Sequence, residues 1–360
     1  MDRKIQGEIR VNMSLKTMGW SAFFAAQWEQ FANENLHPGR VVEELRGLYR
    51  IRTETAEFLA EVEARLRRSG GYPAVGDWVG VRERPAMHAQ IEHILSRHTK
   101  LSRKVAGREL REQIVAANLD VVFVVTSLNR DFSPRRLERY LSLVWDGGAR
   151  PVVLLNKADL CADPAIFEVE LSTLGGAVPV HRLSALEDGG IDCVWQHIQP
   201  GETAALVGSS GVGKSTIINK LAGRSLATAP VREGDDRGRH TTTTRQMIFL
   251  AGGGMLIDTP GMRELQLWGN DEGVEKTFDD IAAMGEQCRF RDCNHTAEPG
   301  CAVIAAADSG KLDLDRLDSY RKLRAELEFQ RRKADPKLAR DQKEQWKKIH
   351  KAMRNSEKRE

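Results

Sequence analysis

The chain has 360 residues, enough for two or three domains, with 41% hydrophobic residues to form cores and 29% charged residues to cover them. No stretch approaches the roughly 18–20 uninterrupted apolar residues of a membrane helix, and the N-terminal segment lacks an apolar signal core, so a cytoplasmic location is expected. The net charge of +3 is uneven: from Arg321 onward 15 Lys/Arg face 7 Asp/Glu, a balance of +8, which leaves −5 on residues 1–320; a basic tail on a slightly acidic body suggests a polyanionic partner, or else a solvated charged helix.

Residues 1–37 hold an apolar run (Trp20, Phe23, Phe24, Trp28, Phe31) at three- and four-residue spacing, which predicts a packing helix without chemistry of its own. From about Arg40 the period drops towards two. Strand-like pieces are Val41–Ile51, Glu57–Leu66, Trp78–Val81 and Gln90–Leu95, separated by polar turns at Ser69-Gly70-Gly71 and Arg84-Pro85. Such short strands predict a small antiparallel barrel. An oligonucleotide-binding (OB) barrel fits that size, and on pattern alone so does any other small barrel.

Near Asp120 the pattern changes to apolar strands alternating with amphipathic helices: strand Val121–Thr126, helix Pro134–Trp145, strand Val152–Leu155, a helix around Ala165–Leu174, strand Val178–Leu183 and a helix around Ile191–Ile198. That alternation predicts a parallel sheet covered on both faces. Asn156-Lys157-Ala158-Asp159 stands at the end of the third of these elements. The Asp159 carboxylate can accept from guanine N1–H and the 2-amino group, a bidentate contact that discriminates by about 1–3 kcal/mol. Adenine would leave it buried and unpaired. Asn156 is expected to orient the loop and meet the N7/O6 side of the base, with the Lys157 stem packed on the ring. Ser184-Ala185, after Leu183, could lend a backbone N–H to guanine O6.

Strand Ala204–Val207 runs into Gly208-Ser209-Ser210-Gly211-Val212-Gly213-Lys214-Ser215, which fits GxxxxGK(S/T) between a strand and a helix. The glycines let backbone N–H groups converge on a phosphate, and the helix N-terminus adds positive potential. Lys214 would reach the β- and γ-phosphates and the Ser215 hydroxyl would ligate Mg²⁺; Thr216 follows on the same turn. Arg237-Gly238-Arg239-His240-Thr241-Thr242-Thr243-Thr244 lies in a long polar loop, where Thr242 or Thr243 would complete the Mg²⁺ shell when the γ-phosphate is present. A hairpin Gln246–Leu250/Met255–Ile257, turning at Ala251–Gly254, leads to Asp258-Thr259-Pro260-Gly261, a DxxG element whose aspartate would hold a Mg²⁺-bound water while Gly261 N–H senses the γ-phosphate. Met262 stands where many small GTPases carry a water-orienting glutamine, so unaided turnover is expected to be slow, with His240 the nearest candidate for the catalytic role beside Lys214. The order of the motifs is circularly permuted, which a sheet tolerates because each loop leaves the carboxyl end of a strand.

Five cysteines are too few for a disulfide framework. Three of them form Cys288-x4-Cys293-x-His295-x5-Cys301, three thiolates and an imidazole, a closed tetrahedral set for one structural Zn²⁺. Chain after about Asp271 reads as helical and polar.

With these residues in hand, the chain resembles the circularly permuted small ribosomal subunit biogenesis GTPases. The resemblance rests on Pro73-Ala74-Val75-Gly76-Asp77-Trp78-Val79, the order NKAD, GSSGVGKST, GRHTTT, DTPG, and the Cys/Cys/His/Cys cluster. It implies an N-terminal OB-type β-barrel, a central permuted α/β P-loop GTPase domain and a mainly helical zinc-binding C-terminal domain. It also implies a GTP phosphohydrolase that binds the small ribosomal subunit and its rRNA, assists late maturation, and is stimulated by that subunit. A hydrophobic residue at Met262 is usual in that family. The boundaries drawn are 1–37 for a helical extension, 38–112 for the barrel, 113–270 for the GTPase, 271–330 for the zinc-binding domain and 331–360 for a basic tail. A monomer without membrane contact is expected. The alternative is an RNA-binding assembly module in which GTP is mainly a conformational ligand.

Overall fold

A computed structural model of the chain describes residues 13–31, 34–104, 112–129, 132–161, 177–223, 245–259 and 271–334, with isolated positions 163, 167 and 171. Five strands, β1 (His37–Glu44), β2 (Tyr49–Arg52), β3 (Glu57–Val62), β4 (Trp78–Arg84) and β5 (His88–Ile94), follow the order β1-β2-β3-β5-β4. Pairing of β1 with β4, from His37↔Val81 to Arg40↔Trp78, closes them into a barrel. β3 and β5 run parallel, as an OB-type barrel requires of its long connection. Val41, Ile51, Phe58, Ala60, Val79, Val81 and Ile91 fill the interior by alternation along their strands.

Two sequence-predicted strands need correction. Val41–Ile51 is a hairpin, because Gly47 takes φ +77 and lets the chain reverse between Leu45 and Leu48. Glu57–Leu66 stops as a strand at Val62 and continues as the short helix α2 (Ala64–Arg68). The sequence reading also missed a second pairing, β6 (Lys100–Lys104) with β7 (Glu112–Ala117). Ahead of the barrel, helix α1 (Ala22–Trp28) buries Phe24, and Trp20 meets Trp78 edge-on at 4.7 Å.

The second half of the sheet is β8 (Val121–Ser127), β9 (Arg150–Asn156), β10 (Val180–Arg182), β11 (Thr203–Gly208), β12 (Arg245–Phe249) and β13 (Met255–Asp258), ordered β10-β9-β8-β11-β13-β12. All neighbours are parallel except β12, which joins β13 as the expected hairpin. Val122 and Val124 pack towards helix α3 (Pro134–Asp146), whereas Val121, Phe123 and Val125 pack towards α4 (Asp192–Trp195) and α5 (Lys214–Ala222). Both faces are therefore covered. The predicted helix around Ala165–Leu174 falls outside the described residues apart from Phe167 and Leu171.

Barrel and parallel sheet are continuous, since β12 pairs with β1 through Glu43↔Gln246 and Glu44↔Arg245. Arg40 locks this junction from inside. Its fully buried guanidinium donates to Gly76 O at 3.3 Å, Asn118 O at 3.2 Å, Thr203 Oγ1 at 2.8 Å and Met18 O, and lies over the Trp78 ring. Burial lowers its pKa to about 10, so it stays cationic at neutral pH.

Helices α6 (Glu272–Thr277), α7 (Asp279–Gly285), α8 (Ala302–Asp308) and α9 (Leu314–Ala334) follow β13. They share one apolar core with α3 and the upper face of the sheet, through Val274, Phe278, Leu317, Tyr320 and Leu323. No helix among the described residues is long and apolar enough to cross a membrane.

Candidate functional site

Every predicted ligand loop within the described residues leaves the carboxyl edge of one parallel sheet. Asn156 ends β9, Ser184 follows β10, Gly208 ends β11 and Asp258 ends β13. That edge is where open α/β sheets bind ligands. The reversed chain order of the loops is invisible there.

Asn156 holds three loops together. It is almost fully buried, its Nδ2 donates to Val212 O at 2.7 Å, and its Oδ1 accepts from Ala185 N–H at 3.0 Å. The guanine-loop and phosphate-loop segments, separated by 56 residues at these atoms, are therefore one unit. Asn156 thus orients the loop, with one N–H of its amide given to Val212 O and one Oδ1 acceptor site taken by Ala185 N–H; the second N–H and the second acceptor site remain for the base. Lys157 adopts φ +63, and Ala158 N–H reaches Leu183 O at 3.2 Å, so the loop turns sharply and leaves Asp159 exposed. Beside it opens a cleft of about 480 Å³ lined by Ala158, Leu183, Ser184, Gly190 and Cys193. Ser184 Oγ is buried there without a hydrogen-bond partner among the described residues.

The phosphate loop needs its glycines for contact as well as for φ. A Cβ on Gly208 (φ +146) would stand 2.1 Å from Val125 O, and one on Gly213 (φ +97) 2.1 Å from Asn156 Nδ2. Glycine at 213 thus admits the Asn156 bridge. Lys214 opens α5 and its Nζ donates to Gly208 O at 2.8 Å and Ser209 O at 2.5 Å, arching over the loop. Ser215 and Thr216 follow in the first turn of that helix, half-buried; Ser210 is half-buried and Gly211 exposed on the rim of the loop. Arg136, in the first turn of α3 behind the Ser133 cap, donates from Nη1 to Ser209 Oγ at 2.8 Å. Sequence reading did not single it out, although Ser133-Pro134 marks the helix start that places it. Burial raises the Asp258 pKa, and the Lys214 charge opposes that rise. Thr259 Oγ1 anchors the start of DTPG to Leu206 O at 3.1 Å. His240, Thr242, Thr243, Gly261 and Met262 lie outside the described residues.

The cysteine cluster converges. The ligand atoms of Cys288, Cys293, His295 and Cys301 all lie within 4.8 Å of one another. Cys288 Sγ is 3.8 Å from Cys301 Sγ and 3.6 Å from His295 Nδ1, and His295 Nδ1 is 3.4 Å from Cys301 Sγ. Zn–S bonds of about 2.3 Å at tetrahedral angles put sulfurs about 3.8 Å apart. The donor set fits zinc in chemistry and spacing. Positive φ at His295 and the Arg321 Nε donation to His295 O at 2.8 Å set the histidine inward.

These elements define a circularly permuted P-loop GTPase, with a closed five-stranded barrel before it and a Cys3His cluster after it. Residues 94–268 match the family described as RsgA GTPase. Proteins titled "Small ribosomal subunit biogenesis GTPase RsgA" are 44% identical in Opitutus terrae, covering 96% of this chain and 98% of that one, and 45% identical in Methanosarcina acetivorans, covering 86% and 85%. Among solved structures, YjeQ from Thermotoga maritima superposes with a TM-score of 0.60 at 26% identity, over 81% of this chain and 98% of that one. YloQ, titled a circularly permuted GTPase, gives 0.59. The chain belongs to the RsgA GTPase family, and it is a GTP hydrolase of that family.

Proposed function

We propose that this chain is a cytoplasmic GTPase that acts as a monomer on the small ribosomal subunit, binds its rRNA late in maturation, and leaves after hydrolysing GTP. The observation that carries the site is the Asn156 bridge, which fixes a guanine-reading loop against a phosphate loop. Asp159 reads guanine from the exposed rim of that unit, and the Lys157 stem covers the ring. The backbone of Gly208–Gly213 cradles the phosphates, and Lys214 swings from the loop carbonyls to the β- and γ-oxygens. Ser215 and Asp258 would hold Mg²⁺, with Thr242 or Thr243 added in the GTP state; when bound, the ion would neutralise phosphate charge. Gly261 senses the γ-phosphate, and His240 is the residue proposed beside the attacking water. Cys288, Cys293, His295 and Cys301 would hold a structural zinc.

The test is single-turnover GTP hydrolysis with and without purified small subunits. Stimulation of at least tenfold, roughly 1.4 kcal/mol of barrier, is the expected result, and no stimulation would sink the reading in favour of a protein for which GTP is only a conformational ligand.

A further inference from the structure

Three arginines on the barrel strands are neutralised by carboxylates on neighbouring strands. Arg50 Nε lies 2.9 Å from Glu43 Oε2, Arg82 Nε lies 2.6 Å from Glu92 Oε1, and Arg52 is paired with Glu57. The connector between β3 and β4 does the opposite. Its helix, Ala64–Arg68, carries Arg65, Arg67 and Arg68, all exposed, and among the described residues none of them meets a carboxylate, Glu61 and Glu63 included. Arg67 Nη2 closes the helix on Val62 O at 3.1 Å. Arg65 and Arg68 stand one turn apart on the same face, where like charges repel. A helix C-terminus favours a cation, but it does not account for an unneutralised pair.

An aromatic ring stands beside them in the chain. Tyr72 is 56% exposed, just past the turn where Gly70 takes φ +79. Its backbone is anchored: Arg97 Nη2 donates to Tyr72 O at 3.3 Å, and the same guanidinium is clamped by fully buried Asp77 at 2.7 and 2.6 Å. An exposed ring whose backbone is anchored, four residues past Arg68 in the chain, suits a strand that alternates phosphates with unpaired bases.

We propose that Arg65, Arg68 and Tyr72 on the β3–β4 connector form a single-stranded RNA contact, the arginines taking phosphates and the tyrosine stacking on a base. This rests on the rRNA reading above. It puts the contact away from the β2–β3 face and the β1–β2 and β4–β5 turns, where OB-type barrels usually take oligonucleotides.

The test is binding of the full chain to a fluorescein-labelled oligouridylate of about twenty nucleotides over a range of salt concentrations. Arg65→Gln with Arg68→Gln should lower the slope of log K against log salt by about 1.4, at about 0.7 per phosphate contact. Tyr72→Ala should weaken binding roughly tenfold with the slope unchanged. Arg50→Gln should change neither, and all variants should keep the wild-type melting temperature and RNA-free GTP hydrolysis. A wild-type slope in the double variant, or an equal loss in Arg50→Gln, overturns the proposal while leaving RNA binding in place. Binding of anionic phosphatidylglycerol vesicles through Arg65 and Arg68, with no effect on RNA, overturns it too. Failure of the wild type to bind either RNA or small subunits would instead overturn the rRNA reading itself.

Discussion

Gly211 and Gly213 both have positive φ, but only one of them touches anything. A Cβ on Gly211 (φ +80) meets nothing within 4 Å, whereas one on Gly213 meets Asn156 Nδ2 at 2.1 Å. Gly211→Ala should therefore cost only the backbone strain of about 1–3 kcal/mol. Gly213→Ala should cost that and also expel Asn156, so thermal melts and fluorescent GDP binding should show a larger loss on both counts, with affinity down by more than tenfold. Equal effects would show that Asn156 is no bridge. At Asp159 the prediction concerns choice of base. Asp159→Asn replaces an acceptor with a donor and should shift preference from guanine to xanthine nucleotides, read by competition binding, since one bidentate contact is worth about 1–3 kcal/mol. Unchanged GTP preference would remove Asp159 from the site. The NKAD and GSSGVGKS residues were legible because their chemistry is local to one loop. The Asn156 bridge was not, because it depends on two loops meeting, and no spacing within either loop encodes that distance.

Helix α3 carries a contact to the phosphate loop and others to the C-terminal helices. Arg136 reaches Ser209, and two residues on, buried Glu138 accepts from Arg316 Nη1 at 3.0 Å and Ser319 Oγ at 2.5 Å. Arg316, itself buried over the Phe278 ring, also meets Asp280 at 2.6 and 2.8 Å. Breaking one partner of a buried pair costs about 3–5 kcal/mol, while replacing both by apolar residues is often neutral. Glu138→Leu and Arg316→Met should each destabilise strongly in denaturant unfolding, and the double variant should recover most of the loss; additive losses would show that the pair does not interact. The edge strand β10 offers a pH-dependent case. His181 Nε2 and His197 Nε2 are 2.7 Å apart, a bond in which the accepting ring must be neutral, so protonation of both rings breaks it. Burial, then the His181 and Arg150 charges, lower the His197 pKa in the fold. The folded state thus binds fewer protons than the unfolded one, so this contribution is present above the ordinary histidine pKa of about 6.5 and is lost as pH falls below it. Wild-type urea midpoints should fall relative to His197→Gln on moving from about pH 7.5 to about pH 5.5. Element type was legible wherever burial was two-sided, as in Val121–Ser127 and Thr203–Gly208. It was not legible at Leu45–Leu48, where two leucines flank the turn, or at β6 and β7, whose half-polar strands form a separate two-stranded sheet.

At the scale of the whole molecule the sheet runs unbroken from barrel to nucleotide edge, and the C-terminal helices share their core with it. Composition does not report this continuity, because it changes at a boundary even where packing does not. A metal that orders the loop from Cys288 to Cys301 should therefore stabilise more than that loop. Cys301 caps α8 through Ile304 N–H and contributes to the common core, and Arg321 of α9 holds His295 O. Structural zinc contributes folding free energy directly. Chelation should release one zinc per chain, read with a metallochromic dye, and lower the melting temperature of the whole protein in one cooperative transition. GTP-site melting, followed through bound fluorescent GDP, should shift by the same amount. A chelated protein whose nucleotide site kept its original melting temperature would show that the helices after Asp271 fold as an independent unit despite the shared residues.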